Sequence, residues 1–181
     1  MATIYLIRHA EAAAHWAEAE DAELSAVGNQ QAAALAQTLA SRGPLPIFSS
    51  PLRRARATAT PLETLWQTAA RIESAVAEIP TQGVAHADRS AWLNGLMQNG
   101  WSGADRSSQQ WRRGVLDFVL GLKSDAVIFT HFVAINTVVG AALEHDAVYL
   151  FRPQNVSITV VENGNGRLRL IERGAGEAIV R

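Results

Sequence analysis

Short apolar runs alternate along this chain with longer segments whose apolar residues recur at helical spacing, and few folds accommodate that order. Thr3 to Ile7 is a β-rich run that stops at Arg8-His9, Leu45 to Phe48 stops at Ser49-Ser50-Pro51, and Ala126 to Phe129 stops at Thr130-His131. Arg71 to Ala77 reads as a further strand. Between them, the segment from Ser25 carries Val27, Ala32, Leu35, Ala36 and Leu39 on one face and closes at Arg42-Gly43-Pro44. Ser50 and Pro51 read as cap and first turn of a second helix, with Leu52, Ala55, Ala59, Leu62 and Leu65 at helical spacing and a kink expected at Pro61. Trp111, Val115, Phe118, Val119 and Leu122 mark a third helix, and Phe132 to Leu143 a fourth.

This alternation predicts an α/β fold, a three-layer α/β/α sandwich around a mostly parallel central sheet. Val156 to Val161 and Leu168 to Ile171, joined through Asn163-Gly164-Asn165-Gly166, predict an antiparallel hairpin at the C-terminal end. Pro80 to Gly103 shows no clean period and is expected to be an irregular lid, with Trp92 and Trp101 as packing residues or an apolar wall. The 181 residues suit one domain, and 48% hydrophobic with 18% charged residues suits a packed core.

Composition then removes whole classes of function. There is no cysteine, hence no disulfide, thiolate nucleophile or cysteine-bound metal. A net charge of −1 offers no general attraction to nucleic acid or to an anionic membrane, and no apolar stretch approaches the ~18 residues of a membrane span. The start MATIYLIRHAEA lacks the basic and long apolar parts of a signal peptide, so the expected location is cytoplasmic. No H-E-x-x-H or closely spaced His pair suggests a metal site, and no cofactor is expected. Oligomeric state is not legible.

In an open parallel sheet, ligands bind outside the carboxyl ends of the strands. Here those ends present Arg8-His9, Ser49-Ser50 with Arg54 following, and Thr130-His131. Two imidazoles and two guanidiniums converging on one rim suit an oxyanion with several equivalent oxygens, which is phosphate. The N-terminus of the helix at Pro51 is expected to add its dipole and free N–H groups. Arg53 and Arg56 read as surface charges, as does the acidic run Glu18, Glu20, Asp21 and Glu23. His86 and His145 have no local partner pattern.

These residues resemble the histidine phosphatase superfamily, which includes the cofactor-dependent phosphoglycerate mutases. LIRHAEA is similar to its N-terminal Arg-His-Gly motif, LSAVGNQQA to its Leu-Thr-x-x-Gly-x-x-Gln-Ala helix start, and SSPLRRARATA to its Ser-Ser-Pro-Leu-x-Arg-Ala-x-x-Thr-Ala segment. FTHFVAIN stands where the family has its second His. The resemblance implies a phosphomonoesterase in which His9 attacks phosphorus and forms a phosphohistidine, while Arg8, Arg54 and a protonated His131 clamp the transferred group. It also implies a catalytic acid at Glu78, with Glu11 and Asp88 as competitors. The expected substrate is a small phosphorylated metabolite or a phosphohistidine protein.

The chain departs from the family pattern at Ala10, at Ala12 and His15, at Phe132-Val133, and at Asn136, where an Arg is frequent. His15 is a candidate for the pocket mouth. These departures bear on substrate choice and argue against a mutase, the alternative enzyme; a non-catalytic phosphate-binding module is the alternative of another class.

Overall fold

The computed structural model describes residues 1–14, 21–81 and 83–178. His15 and much of the acidic run, Glu18 and Glu20, lie outside the described residues. In chain order the elements are β1 (Ala2–Arg8), α1 (Ala26–Leu39), β2 (Ile47–Ser49), α2 (Arg53–Trp66), β3 (Arg71–Ile72), α3 (Arg89–Asn99), α4 (Arg106–Gly121), β4 (Ala126–Thr130), α5 (Phe132–Ala142), β5 (Phe151–Pro153), β6 (Ile158–Gly164), β7 (Arg167–Glu172) and β8 (Gly176–Ala178). Among the described residues, six strands form one sheet in the order β3-β2-β4-β1-β6-β7, and β5 pairs with β8 apart from it. β3, β2, β4 and β1 run parallel, while β6 and β7 are antiparallel additions.

The two-residue period of the strands divides the core between the faces of this sheet. Ile4 and Leu6 of β1, with Ile128 of β4, pack with Val115 and Val119 of α4 and Ile135, Val138 and Val139 of α5. Ile7, Val127 and Phe129 point the other way, to Leu35, Ala36 and Leu39 of α1 and Ala55, Ala59 and Leu62 of α2. The expected three-layer sandwich follows directly. All five residues of β4 are buried, the signature of a central parallel strand covered on both faces. Truncating Ile128, which has no exposed surface, would cost about 2–5 kcal/mol.

The helices are cut by local chemistry. Ser25 caps α1 by accepting from the Gly28 N–H at 2.9 Å, and Asp105 caps α4 by accepting from the Ser108 N–H at 3.0 Å. In the hairpin of β6 and β7, Asn165 and Gly166 take φ of 52° and 73°, the two positive values a type I′ turn requires.

Several expectations need correction. The segment from Pro80 to Gly103 is not irregular throughout, since Arg89–Asn99 form α3. Trp92 with Leu96 and Leu93 with Met97 supply a four-residue spacing, which the interspersed Gly95, Asn94 and Gln98 obscure. Gly100, at φ 68°, ends this helix.

The third strand is only Arg71–Ile72, because Ser74–Val76 turn into a 3₁₀ helix whose first N–H groups include one accepted by the Glu73 carboxylate at 2.9 Å. α2 begins at Arg53, later than Pro51, and continues through Pro61 to Trp66, its Ala55, Ala59 and Leu62 held against α1 and the sheet. Val27 and Leu65 are exposed, although their spacing placed them on buried faces. Among the described residues no helix is long and apolar enough to cross a membrane.

Candidate active site

The parallel register brings the strand ends level. Arg8 of β1 is opposite Thr130 of β4, and Ser49 of β2 is opposite Phe129. The ladder extends one residue beyond each end: the His9 N–H donates to Thr130 O at 3.0 Å and the Ser50 N–H to Phe129 O at 3.0 Å. His9, Ser50 and His131 therefore emerge along one edge. The two imidazole rings lie 5.2 Å apart, centroid to centroid.

His9 has a determined tautomer. Its Nδ1 is 2.7 Å from the Ala10 carbonyl oxygen, which can only accept, so Nδ1 carries the proton and Nε2 carries the lone pair. Arg54 Nε donates to that Nε2 at 3.3 Å. Burial first, and then the nearby Arg54 and Arg8, lower the His9 pKa from 6.5 to about 3, so the ring is neutral at ordinary pH.

Three elements fix the loop that carries this ring. Asn155 Nδ2 donates to the His9 carbonyl at 2.8 Å, from the segment after β5. The Ala10 N–H donates to Thr58 Oγ1 at 2.9 Å, and the same hydroxyl donates to Arg54 O at 2.6 Å, from α2. From the start of α1, the Ser25 N–H donates to Glu11 O at 2.9 Å. There Gly28 packs so closely that a Cβ would collide with the Glu11 carbonyl.

A cavity of about 740 Å³ opens over this edge, with Arg8, His9, Arg54 and Glu78 on its wall. Arg54 is buried and Arg8 half-buried. Arg8 Nη1 donates to Pro153 O at 2.6 Å, and its guanidinium stands 5.8 Å over the Phe132 ring, which lies tilted by 56° against Tyr149, 4.9 Å between centroids. Burial lowers the pKa of both guanidiniums, and both remain cations.

Glu78 is bound at the start of α5, where its carboxylate accepts from Val133 N at 3.2 Å and from Ile79 N at 3.1 Å. Those bonds and the two arginines favour its charged form, but desolvation outweighs them and raises its pKa above the usual carboxylate value. Of the three candidate acids, Glu78 is the one whose protonated form burial favours. Of its competitors, Glu11 also reaches the cavity but accepts from Ser25 Oγ at 2.6 Å, and Asp88 is exposed and not on the wall.

His131 differs from expectation. It is fully buried and not on the cavity wall, and burial, then His9, Arg54 and Arg8, lower its pKa well below 6.5. Burial thus favours the neutral ring in the chain without a bound anion. Its Nε2 lies 2.7 Å from Ser50 Oγ, while its Nδ1 has no hydrogen-bond partner among the described residues.

The expected anion site at the start of α2 is also corrected. Leu52 is the cap residue, and the Arg53 N–H is taken by the Asp21 carboxylate at 2.7 Å. Arg53 itself is exposed and pairs with Glu23, as a surface charge would.

Asn136, where an Arg is frequent in the family, makes structural bonds. It donates to the carbonyls of Phe132 and Phe151, each at 3.0 Å, and accepts from the N–H groups of Leu150 and Phe151 at 2.9 and 3.1 Å. Trp101 stacks on Trp111 at 6.0 Å in the core, so the apolar wall of the cavity comes from Leu93 and Met97 of α3 instead of the tryptophans. Tyr149, Arg152 and Asn155 also line the cavity, unforeseen in the sequence because nothing marked the turn region before β6 as part of a site. Among the described residues, no group of three or more His, Asp or Glu side chains could hold a metal ion.

Comparison with protein-family models matches residues 4–175 to the histidine phosphatase superfamily, branch 1. No curated protein matches the chain. Among solved structures, a mycobacterial glucosyl-3-phosphoglycerate phosphatase bound to inorganic phosphate is similar, at 24% identity and a TM-score of 0.74, over 97% of this chain and 98% of that one. A phosphoserine phosphatase from Entamoeba histolytica is similar at 23% identity and a TM-score of 0.73, over 95% and 96% of the two chains. A protein from Thermus thermophilus is similar at 25% identity and a TM-score of 0.65, over 96% and 99%.

Proposed function

Because the chain belongs to the histidine phosphatase superfamily, we propose that it is a phosphomonoesterase working through a phosphohistidine on His9. The observation that carries this reading is the shared cavity wall, where a neutral imidazole with its lone pair on Nε2 meets two arginines and a carboxyl of raised pKa.

The substrate dianion draws Arg8 and Arg54 onto its oxygens, and Arg54 thereby releases His9 Nε2. Nε2 forms a bond to phosphorus while the bond from phosphorus to the ester oxygen breaks. The leaving oxygen takes the proton of Glu78. Charge that develops on the phosphoryl oxygens in the loose transition state is met by the guanidiniums, and the Nδ1–H bond to Ala10 O stabilises the cationic phosphoimidazole. Water then attacks phosphorus, gives a proton to the Glu78 carboxylate, and restores His9 as phosphate departs. A dianion beside His131 raises its pKa and favours a proton on its free Nδ1, which restores the clamp that burial alone disfavours.

The substrate is a small phosphorylated metabolite or a phosphohistidine protein. Phosphate release from p-nitrophenyl phosphate and from a panel of phosphorylated metabolites tests the reading, with His9→Ala as control. Turnover should fall on the order of 10³-fold or more in the control, and acid quench of the wild type should trap an acid-labile phosphoenzyme. A non-catalytic binding module would release no phosphate, and a mutase would pass it to a second hydroxyl instead of to water.

A further inference from the structure

Arg152 belongs to neither the phosphate clamp nor the proton path, yet it lies on the same cavity wall. β5 explains its placement. Phe151 and Pro153 are buried on one side of this short strand, and Arg152, between them, faces the other way and is exposed. Pairing with β8 fixes the strand, with Arg152 opposite Glu177 in register, and the neighbouring Pro153 carbonyl holds Arg8 at 2.6 Å. One strand thus positions two guanidiniums relative to each other. The Arg152 side chain makes no hydrogen bond or ion pair among the described residues.

Two like charges beside one cavity oppose each other unless an anion sits between or beside them. Arg152 is the first cation among the charges that lower the Arg8 pKa, ahead of Arg54. The Glu78 carboxyl faces Arg8 and Arg54, whose pKa values it raises, and Glu11 is engaged with Ser25 Oγ, so neither acid pairs with Arg152. Arg8 and Arg54 suffice for a phosphate dianion, so Arg152 is surplus to the phosphoryl group. At about 740 Å³ the cavity holds much more than a phosphate, with Leu93 and Met97 along one side and Arg152, Tyr149 and Asn155 contributing another part of the wall.

We propose that Arg152 is a specificity residue that receives a second anionic group of the substrate, so that the preferred substrates are phosphomonoesters bearing a carboxylate or a second phosphate. This rests on the phosphomonoesterase reading. A planar fork of N–H donors at the cavity rim matches either anion in bidentate fashion. Because Arg152 is exposed, the gain is modest and falls as salt screens it.

The experiment uses two matched pairs: 3-phosphoglycerate against glycerol 3-phosphate, and fructose 1,6-bisphosphate against fructose 6-phosphate. The wild type should show a kcat/KM about five- to tenfold higher for the doubly anionic member of at least one pair, mostly through KM, and that ratio should shrink with added salt. The first pair reports a carboxylate and the second a phosphate. Arg152→Gln should bring the preferred ratio close to one, and Arg152→Lys should keep part of it. Equal kcat/KM within both pairs for the wild type, or a ratio that persists in Arg152→Gln, overturns the proposal. Turnover of p-nitrophenyl phosphate by the wild type tests the underlying phosphatase reading separately, since that substrate has no second anion.

Discussion

Arg54 Nε donates to His9 Nε2 at 3.3 Å, so the nitrogen with the free lone pair is covered by the same guanidinium that would bind the substrate's phosphate. The nucleophile and the anion clamp compete for one another, and an incoming dianion resolves the competition in favour of attack. Arg54→Ala should therefore lower kcat/KM by about 10²–10³-fold and weaken inhibition by vanadate and phosphate at least about tenfold. Steady-state kinetics with both inhibitors checks this. Near-normal inhibition would move the clamp to another cation.

The buried histidine also ties stability to pH. The His9 pKa is about 3 in the folded chain and 6.5 in the unfolded one, so between those values the unfolded chain binds more protons. Stability is fully present above pH 6.5 and is lost as pH falls toward 3. One unit corresponds to 1.36 kcal/mol, so His9 alone should remove about 2 kcal/mol between pH 6.5 and pH 5. His131 acts in the same direction, while Glu78, with its raised pKa, contributes below the usual carboxylate range and loses that contribution as pH rises. Urea unfolding of wild type and His9→Gln at pH 7 and pH 5 should show a smaller loss in the variant.

Glu78 should reveal itself through the leaving group. Glu78→Gln keeps the shape and removes the proton, so alkyl phosphates should slow by about 10²-fold or more, and p-nitrophenyl phosphate, whose phenolate leaves unaided, should slow far less. Equal slowing of both, measured side by side, would exclude Glu78 as the acid.

Charge neutralisation by arginine leaves no task for a divalent ion in this mechanism. Activity should survive exhaustive dialysis against a chelator, and a loss restored by a divalent cation would require a different mechanism.

The parts of the molecule legible in the sequence were those governed by local rules. β4 reads as a buried strand because all its residues are apolar up to Thr130, and the hairpin reads from Asn165-Gly166 because only residues tolerant of positive φ make that turn. Arg8, His9 and Arg54 are legible as candidates because strand ends and a helix start carry them to one edge, and all three line the cavity.

What escaped depends on contacts across the chain. Thr58 is one residue of a helical motif until its hydroxyl meets the Ala10 N–H, 48 positions away. Asn155 and Arg152 sit in a turn and an edge pair whose register with the His9 loop has no periodic signal. The depth of His131, fully buried at the start of α5, is a property of the whole fold and has no signal in the sequence around it. α3 was overlooked since polar residues and Gly95 interrupt its apolar face.

The three ties on the His9 loop, from Asn155, Thr58 and the start of α1, leave α3 out. α3 contributes Leu93, Asn94 and Met97 to the cavity and, among the described residues, no hydrogen bond to the His9 loop. Substitutions at these three positions can therefore reshape the room left for an ester without touching the bonds that hold His9, whereas Leu96, packed with Ile79 and Val133, ties the same helix to the residues whose N–H groups hold Glu78.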